Sequence, residues 1–351
     1  MDIYFVLSIF IVLINLLPVR NNREYSIRLV FSLFILFIYG AFRIDYGLDY
    51  TAYEIFFNEV KLYGLEANER LEVGYYFLNK LLPSYRSLLI IQTSLLCSAY
   101  FYLFKWYIPS KWAWFGFLLL FINGQFTIFF MLTAIRNGIS VSIFILSTYF
   151  IYQRKIIPYL LLIFIAFWFH KSIIIYAPIA YIIANPKNFT KKNILTWLII
   201  LIIIALTLST FLLDFANIFV NRYFTHYTQT LDNALALRNK AGLLASLFAI
   251  TTSTLLLLIM KNKHLSEKET MLVKLSLLFL MANLLGPLNM RMTQYFASFF
   301  MAGSIIVAYT RSNNLLKYAY LTSISLYLLY ALKIWIEGPY FSFDTYRSII
   351  F

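Results

Sequence analysis

Long apolar segments recur along the whole sequence and constrain its fold more than any other feature. Most are about 17–21 residues long, enough for a helix to cross a hydrocarbon core roughly 30 Å thick. Only 13% of the 351 residues are charged and 62% are hydrophobic, whereas a soluble domain carries about 25% charged residues. The sequence therefore predicts an all-α integral membrane protein.

We place about twelve transmembrane helices along the chain and treat residues 1–351 as a single polytopic membrane domain. The spans are 3–19, 26–42, 86–104, 112–130, 136–152, 156–169, 171–184, 194–213, 241–260, 271–288, 292–310 and 317–336. The sixth and seventh are short and nearly adjacent, as expected of half-length or broken helices. Two larger loops, 43–85 and 214–240, are expected to carry short amphipathic helices.

The basic residues are distributed unevenly between the two sides of this arrangement. One set of alternate loops holds fifteen Lys and Arg against three Glu, whereas the other set is close to neutral. The Lys- and Arg-rich side is expected to be cytoplasmic. Loops 43–85, 131–135 and 214–240 then face outward. The net charge of +14 is explained by membrane orientation and does not indicate nucleic acid binding.

The first outer loop begins with the stretch AFRIDYGLDYTAYEIFFNEV, which gathers charged and aromatic residues at a membrane boundary. After Asp49, apolar side chains recur every three or four residues, which predicts an amphipathic surface helix. A second short helix is expected in LEVGYYFLNKLL, with Glu72 at its start. Both carboxylates are suited to cap helix N-termini. Alternatively, either could deprotonate or bind a sugar hydroxyl beside Tyr50 and Tyr53.

Arg136 opens a predicted span in TAIRNGISVSIFILS. An arginine is unfavourable at the positive end of a helix dipole, so an anionic partner is expected nearby. Its guanidinium can bind two phosphate oxygens at once. Snorkelling of the side chain to the membrane interface is the alternative.

His170 lies between two apolar runs in IAFWFHKSIIIYAP. An imidazole there could act as a general base, because its ordinary pKa is close to working pH. A structural, hydrogen-bonded histidine is the alternative interpretation.

Two further stretches bring cations and aromatic rings to the predicted outer side. FVNRYFTHYTQT contains Arg222 and Tyr223, and GPLNMRMTQYFASFF contains Arg291 and Tyr295. Arginines in a polar loop are usually solvated, so Arg291, at a helix junction, is the stronger candidate for an anion site. The sequence has no HExxH, CxxC or glycine-rich phosphate loop, so no metal, nucleotide or other cofactor is expected.

The order of these motifs resembles the EpsG-like family of polysaccharide polymerases, which includes many Wzy-type O-antigen polymerases. Arg43, Gly47, Asp49 and Tyr53 match its early motif. Later matches are Glu72 with Gly74, Arg136 with Gly138, and Phe169 with His170. The resemblance extends in order to the closing PYFSFDTYRSIIF.

The resemblance implies an enzyme of the bacterial inner membrane with its active site facing the periplasm. Such enzymes transfer a growing glycan from undecaprenyl diphosphate to the terminal sugar of a lipid-linked repeat unit. The expected partners are therefore undecaprenyl-diphosphate-linked oligosaccharides, the lipid bilayer and a chain-length regulator protein. The product would be O-antigen, capsule or exopolysaccharide.

Each sequence-predicted site residue then has an expected role. The expected base is His170, Asp49 or Glu72, and the expected sugar contacts are Tyr50, Tyr53, Tyr223 and Tyr295. Arg136 and Arg291, with Arg43 or Arg222, would bind the diphosphate and stabilise its developing charge without a metal.

Two other functions fit the composition. The first is another membrane transferase, one that adds a single sugar from a polyprenyl-phosphate-linked donor or that moves an acyl group. The second is a flippase of lipid-linked oligosaccharide, in which internal repeats and charges along the depth of a cavity are expected. The sequence has no convincing repeat, and its charges cluster at one membrane face.

Overall fold

The computed structural model is almost entirely helical in the residues that it describes. Those residues are 3–64, 72–184, 248, 251–256, 265–284, 290–309, 314–337 and 346–348. They belong to two compact units, Met1–Tyr181 with Leu328–Phe351, and Ile182–Tyr327. The predicted span 194–213 and the loop 214–240 lie wholly outside the described residues, and the predicted span 241–260 lies largely outside them.

The first unit contains most of the described helices. In chain order its elements are α1 (Ile3–Leu16), α2 (Asn22–Ala41), β1 (Arg43–Ile44), α3 (Tyr50–Tyr63), α4 (Val73–Leu81), α5 (Tyr85–Tyr107), α6 (Ala113–Asn123), a π-helix (Gln125–Thr133), α7 (Ile135–Tyr152), α8 (Ile156–Phe169), α9 (Ile173–Ala184) and β2 (Arg347–Ser348). Residues 182–184 of α9 belong to the second unit.

Three described helices, α2, α5 and α7, are long and apolar enough to cross a membrane. Segments Ser110–Asn123 and Phe126–Thr133 make a fourth candidate that is bent by 59°. Shorter apolar helices are α1, α8, α9 and Thr293–Ala308. Exposed Leu, Ile and Phe side chains along α1, α2 and α8 are those expected of a lipid-facing surface.

The structure differs from the straight span predicted over 112–130. Gly124 adopts a left-handed φ of 68° and ends α6, a conformation that glycine allows without steric cost. The chain continues as the π-helix, a rare geometry that often occurs at functional sites. The side chain of Gln92 on α5 is fully buried and donates to the Phe130 carbonyl at 2.6 Å. This bond fixes the π-helix against α5.

Helices α3 and α4 occupy the interval 43–85. The buried residues of α3 are Tyr50, Tyr53, Phe57 and Val60, which follow the three- to four-residue spacing of an amphipathic helix. In α4 the buried residues include Gly74, Tyr75 and Asn79. Their packing places the start of each helix close to the ends of the longer helices.

A two-residue antiparallel ladder joins residues far apart in the sequence. Arg43 pairs with Ser348, and Ile44 pairs with Arg347. Next to the ladder, the Tyr346 hydroxyl donates to the Tyr39 carbonyl at 2.8 Å, and the two rings stack with centroids 4.7 Å apart. The segment 346–348 is thereby attached to the end of α2.

The second unit contains α10 (Glu267–Leu284), α11 (Met290–Tyr309) and most of α12 (Asn314–Glu337). The Ser276 hydroxyl of α10 donates to the Phe299 carbonyl of α11 at 2.7 Å. Phe279 and Phe300 stack with ring centroids 4.5 Å apart. These contacts bind α10 and α11 into a tightly packed helix pair.

We expect Gln92→Leu to destabilise the first unit by about 1–3 kcal/mol, because the buried Phe130 carbonyl would lose its donor. The measurement is thermal unfolding of the purified protein in detergent. Ser98→Ala is the matched control on α5, since the Ser98 hydroxyl is exposed and donates to the Ser94 carbonyl of its own helix. Equal unfolding temperatures for Gln92→Leu and the wild type would contradict this role.

Candidate functional site

Three helix ends of the first unit bring together residues from three separate motifs. Glu72 immediately precedes α4, Arg136 lies in the first turn of α7, and His170 immediately follows α8. Arg136 and His170 are 64 and 98 positions from Glu72 in the sequence. The structure thus joins three of the sequence-predicted site residues in one cluster, which we call the Glu72 cluster.

The Glu72 carboxylate links the other two members. Oε2 accepts a hydrogen bond from Arg136 Nη1 in a close ion pair. Oε1 lies 3.3 Å from His170 Nδ1, which donates to it in the tautomer protonated at Nδ1. The side chains of Glu72, His170 and Arg136 are 10%, 14% and 26% exposed. The cluster is therefore largely desolvated but open on the side of Arg136.

The pKa of Glu72 reflects this environment. Burial raises the pKa of the carboxyl, but the hydrogen bond from His170 and the positive charge of Arg136 outweigh it. The net effect holds the pKa of Glu72 below its usual range. Its side chain accepts no capping bond from α4, so ion pairing with Arg136 and orientation of His170 account for its position.

Asp49 precedes α3 and also interacts with the charge of Arg136. Burial raises its pKa, and the attraction of Arg136 offsets this only in part. Like Glu72, it makes no side-chain cap bond. The two carboxyls near Arg136 therefore have pKa values shifted in opposite directions.

The Arg136 guanidinium lies over two tyrosine rings, at 5.9 Å from the centroids of both Tyr53 and Tyr75. Tyr75 is fully buried and was not expected from the sequence. Its position three residues after Glu72, one helical turn along α4, is the signal that could have identified it. These contacts, together with Glu72, hold the cation at the start of α7, where the helix dipole disfavours it.

Gly47, Gly74 and Gly138 let the helix ends approach closely. A Cβ on Gly74 would lie 2.8 Å from Trp168 Cβ and 2.9 Å from its carbonyl oxygen, so only glycine fits between α4 and α8. A Cβ on Gly138 would lie 2.8 Å from the Phe130 carbonyl oxygen of the π-helix. Gly47, with φ of 111°, packs directly on the Leu132 carbonyl. Each glycine lies two positions from a charged residue of the site.

Arg43 and Tyr50 are placed differently from the expectation that they bind substrate. Arg43 is fully buried, and its guanidinium donates to the Gly40 and Leu132 carbonyls. Arg43 therefore holds the end of α2 against the π-helix. Tyr50 and Tyr53 are only 5% and 7% exposed, so neither ring has an open face for a sugar.

The remaining sequence-predicted residues lie in the second unit or outside the described residues. Arg291 lies in the first turn of α11 and Tyr295 is fully buried in the same helix, both in the second unit. Arg222 and Tyr223 lie outside the described residues. Among the residues that the structure describes, no group of three or more His, Cys, Asp or Glu could hold a metal ion.

The opposite pKa shifts predict opposite effects on stability at neutral pH. Glu72, with its lowered pKa, stabilises the fold above its ordinary pKa, and this contribution is lost as the pH falls through the lowered value. Asp49, with its raised pKa, opposes folding when ionised. We expect Glu72→Gln to cost about 1–3 kcal/mol at pH 7 and Asp49→Asn to leave the unfolding temperature equal to or above that of the wild type.

Thermal unfolding between pH 4 and pH 7 measures both effects. The control variant is Glu59→Gln on α3, which also removes one carboxylate. The deficit of Glu72→Gln should shrink towards the acid end of this range. A larger loss for Asp49→Asn than for Glu72→Gln at pH 7 would contradict the assignment.

Comparison with known proteins confirms the family indicated by the motifs. The model of the EpsG family matches residues 25–348, a range that contains the whole Glu72 cluster. No curated protein and no solved structure matches the chain. The chain therefore belongs to the EpsG family and is a membrane protein of the polysaccharide polymerase type.

Proposed function

We propose that this protein polymerises a bacterial surface polysaccharide from lipid-linked repeat units. It transfers the growing glycan from undecaprenyl diphosphate to the terminal sugar of a second lipid-linked unit and releases undecaprenyl diphosphate. Membership of the EpsG family supports the reaction class. The observation that carries the proposal is the meeting of Glu72, Arg136 and His170 at three helix ends.

This cluster has the chemistry that glycosyl transfer to a hydroxyl requires. The acceptor hydroxyl must lose a proton, and a histidine bound to a carboxylate is a suitable general base. The leaving diphosphate gains negative charge, which arginines outside the cluster can stabilise. The position of the cluster where helices end suits a substrate whose sugars lie in water and whose polyprenyl chain lies in lipid.

We propose that the Glu72 cluster faces the periplasm, with the protein in the bacterial inner membrane. The Lys and Arg asymmetry of the predicted loops supports this orientation. Glu72 and Asp49 belong to the predicted outer loop 43–85, and Arg136 and His170 lie at the outer ends of their predicted spans. Lipid-linked units would reach this face after being transported across the membrane.

The test is the banding pattern of surface polysaccharide from a strain that lacks this protein. We expect the deletion to leave glycan capped by one repeat unit and the wild-type gene to restore a ladder. Arg136→Ala should abolish the ladder, because Glu72, which also binds His170, would lose its charged partner. Arg23→Ala should restore it fully, since Arg23 is exposed in the first turn of α2.

All variants must be present in the membrane at the wild-type level for the comparison to hold. Loss of the single-repeat band in the deletion strain would overturn the proposal and point to a flippase or an earlier transferase. A normal ladder from Arg136→Ala would show that the Glu72 cluster is not the site.

A further inference from the structure

We infer that the Glu72 cluster is the acceptor half of the polymerase site, in which His170 is the general base and Glu72 a positioning residue. The inference rests on the proposed function and narrows it. The cluster then binds and deprotonates a neutral sugar hydroxyl of the acceptor unit. The donor diphosphate would then be held by cations outside the cluster.

The hydrogen bond between His170 and Glu72 decides which ring nitrogen can accept a proton. When Nδ1 donates to Glu72 Oε1, Nε2 carries the free lone pair. The same carboxylate would stabilise the imidazolium that forms when Nε2 takes a proton. Glu72 is itself a poor base, because the positive charge of Arg136 and the bond from His170 hold its pKa low.

The charge balance of the cluster does not favour a diphosphate. The positive charge of Arg136 is matched by Glu72 in a direct ion pair. Asp49 adds a second carboxyl that interacts with Arg136, so these two carboxyls offset the positive charge of Arg136. A neutral polyol meets no repulsion there, and it can use the remaining donors and acceptors of these side chains.

Other arginines of the first unit are engaged elsewhere. The Arg43 guanidinium donates to the Gly40 and Leu132 carbonyls. The Arg86 guanidinium donates to the Ala41 carbonyl at 3.0 Å and the Arg43 carbonyl at 2.6 Å. Both hold the backbone at the end of α2.

The step can be written with its protons and electrons balanced. The acceptor O–H gives its proton to His170 Nε2, and its oxygen forms a bond to the anomeric carbon of the donor glycan. The bond between that carbon and the diphosphate oxygen breaks, and undecaprenyl diphosphate leaves with the electron pair. The imidazolium, held by Glu72, then releases its proton to water.

The experiment separates turnover from recognition of the leaving group. The substrate is the lipid-linked repeat unit extracted from the deletion strain, and polymer formation is measured with the purified full-length protein. Binding of undecaprenyl diphosphate alone is measured as the rise that it causes in unfolding temperature, which also reports whether each variant is folded.

We expect His170→Gln to lower turnover about 10²- to 10⁴-fold and Glu72→Gln to lower it less. Both should bind undecaprenyl diphosphate within threefold of the wild type. Added imidazole should partly restore turnover to His170→Ala but not to Glu72→Gln, a difference that a merely structural role would not produce. Glu72→Asp should recover part of the loss.

Either of two results would overturn the inference. One is a tenfold or greater loss of undecaprenyl diphosphate affinity in His170→Gln or Glu72→Gln, which would make the cluster the donor half. The other is turnover of His170→Gln within tenfold of the wild type. If the wild-type protein itself forms no polymer from the extracted lipid, the proposed function fails, which is a separate outcome.

Discussion

The relative positions of α4, α7 and α8 depend on a single shared carboxylate, that of Glu72. Glu72 is largely desolvated, and a buried charge without partners costs several kcal/mol. It is stable there because Arg136 and His170 satisfy its two oxygens. The same bonds fix the ends of α4, α7 and α8 relative to one another. Removing the carboxylate would therefore alter both the chemistry of the site and the packing of three helices.

Close backbone contacts at glycines make this arrangement possible. The π-helix provides the surface on which Gly47 and Gly138 pack, through the carbonyls of Leu132 and Phe130. Gly74 provides the equivalent contact between α4 and α8. Each glycine is two positions from Asp49, Arg136 or Glu72. The backbone contact at the glycine therefore helps to fix the position of that charged side chain. A rigid backbone of this kind is what a preorganised site requires.

Sequence reasoning selected several residues that the structure brings into contact, and their functional roles stay predictions. Asp49, Glu72, Arg136 and His170 stood out because ionisable groups at membrane depth are expensive, and the structure brings them together. Arg43 stood out for the same reason, yet its guanidinium binds main-chain carbonyls. The break at Gly124, the π-helix and Tyr75 were not foreseen. The hydrophobicity of the sequence predicts where apolar segments begin and end, whereas these features depend on tertiary contacts.

The ladder between β1 and β2 has a consequence for the order in which the chain acquires its structure. Tyr346 and its bond partner Tyr39 are 307 positions apart, a length that ribosomes translate in about 15–60 s. During that interval the end of α2 and the loop leading to Asp49 lack their final strand. The ladder and the bond between Tyr346 and Tyr39 therefore form only after residues 346–348 have been synthesised.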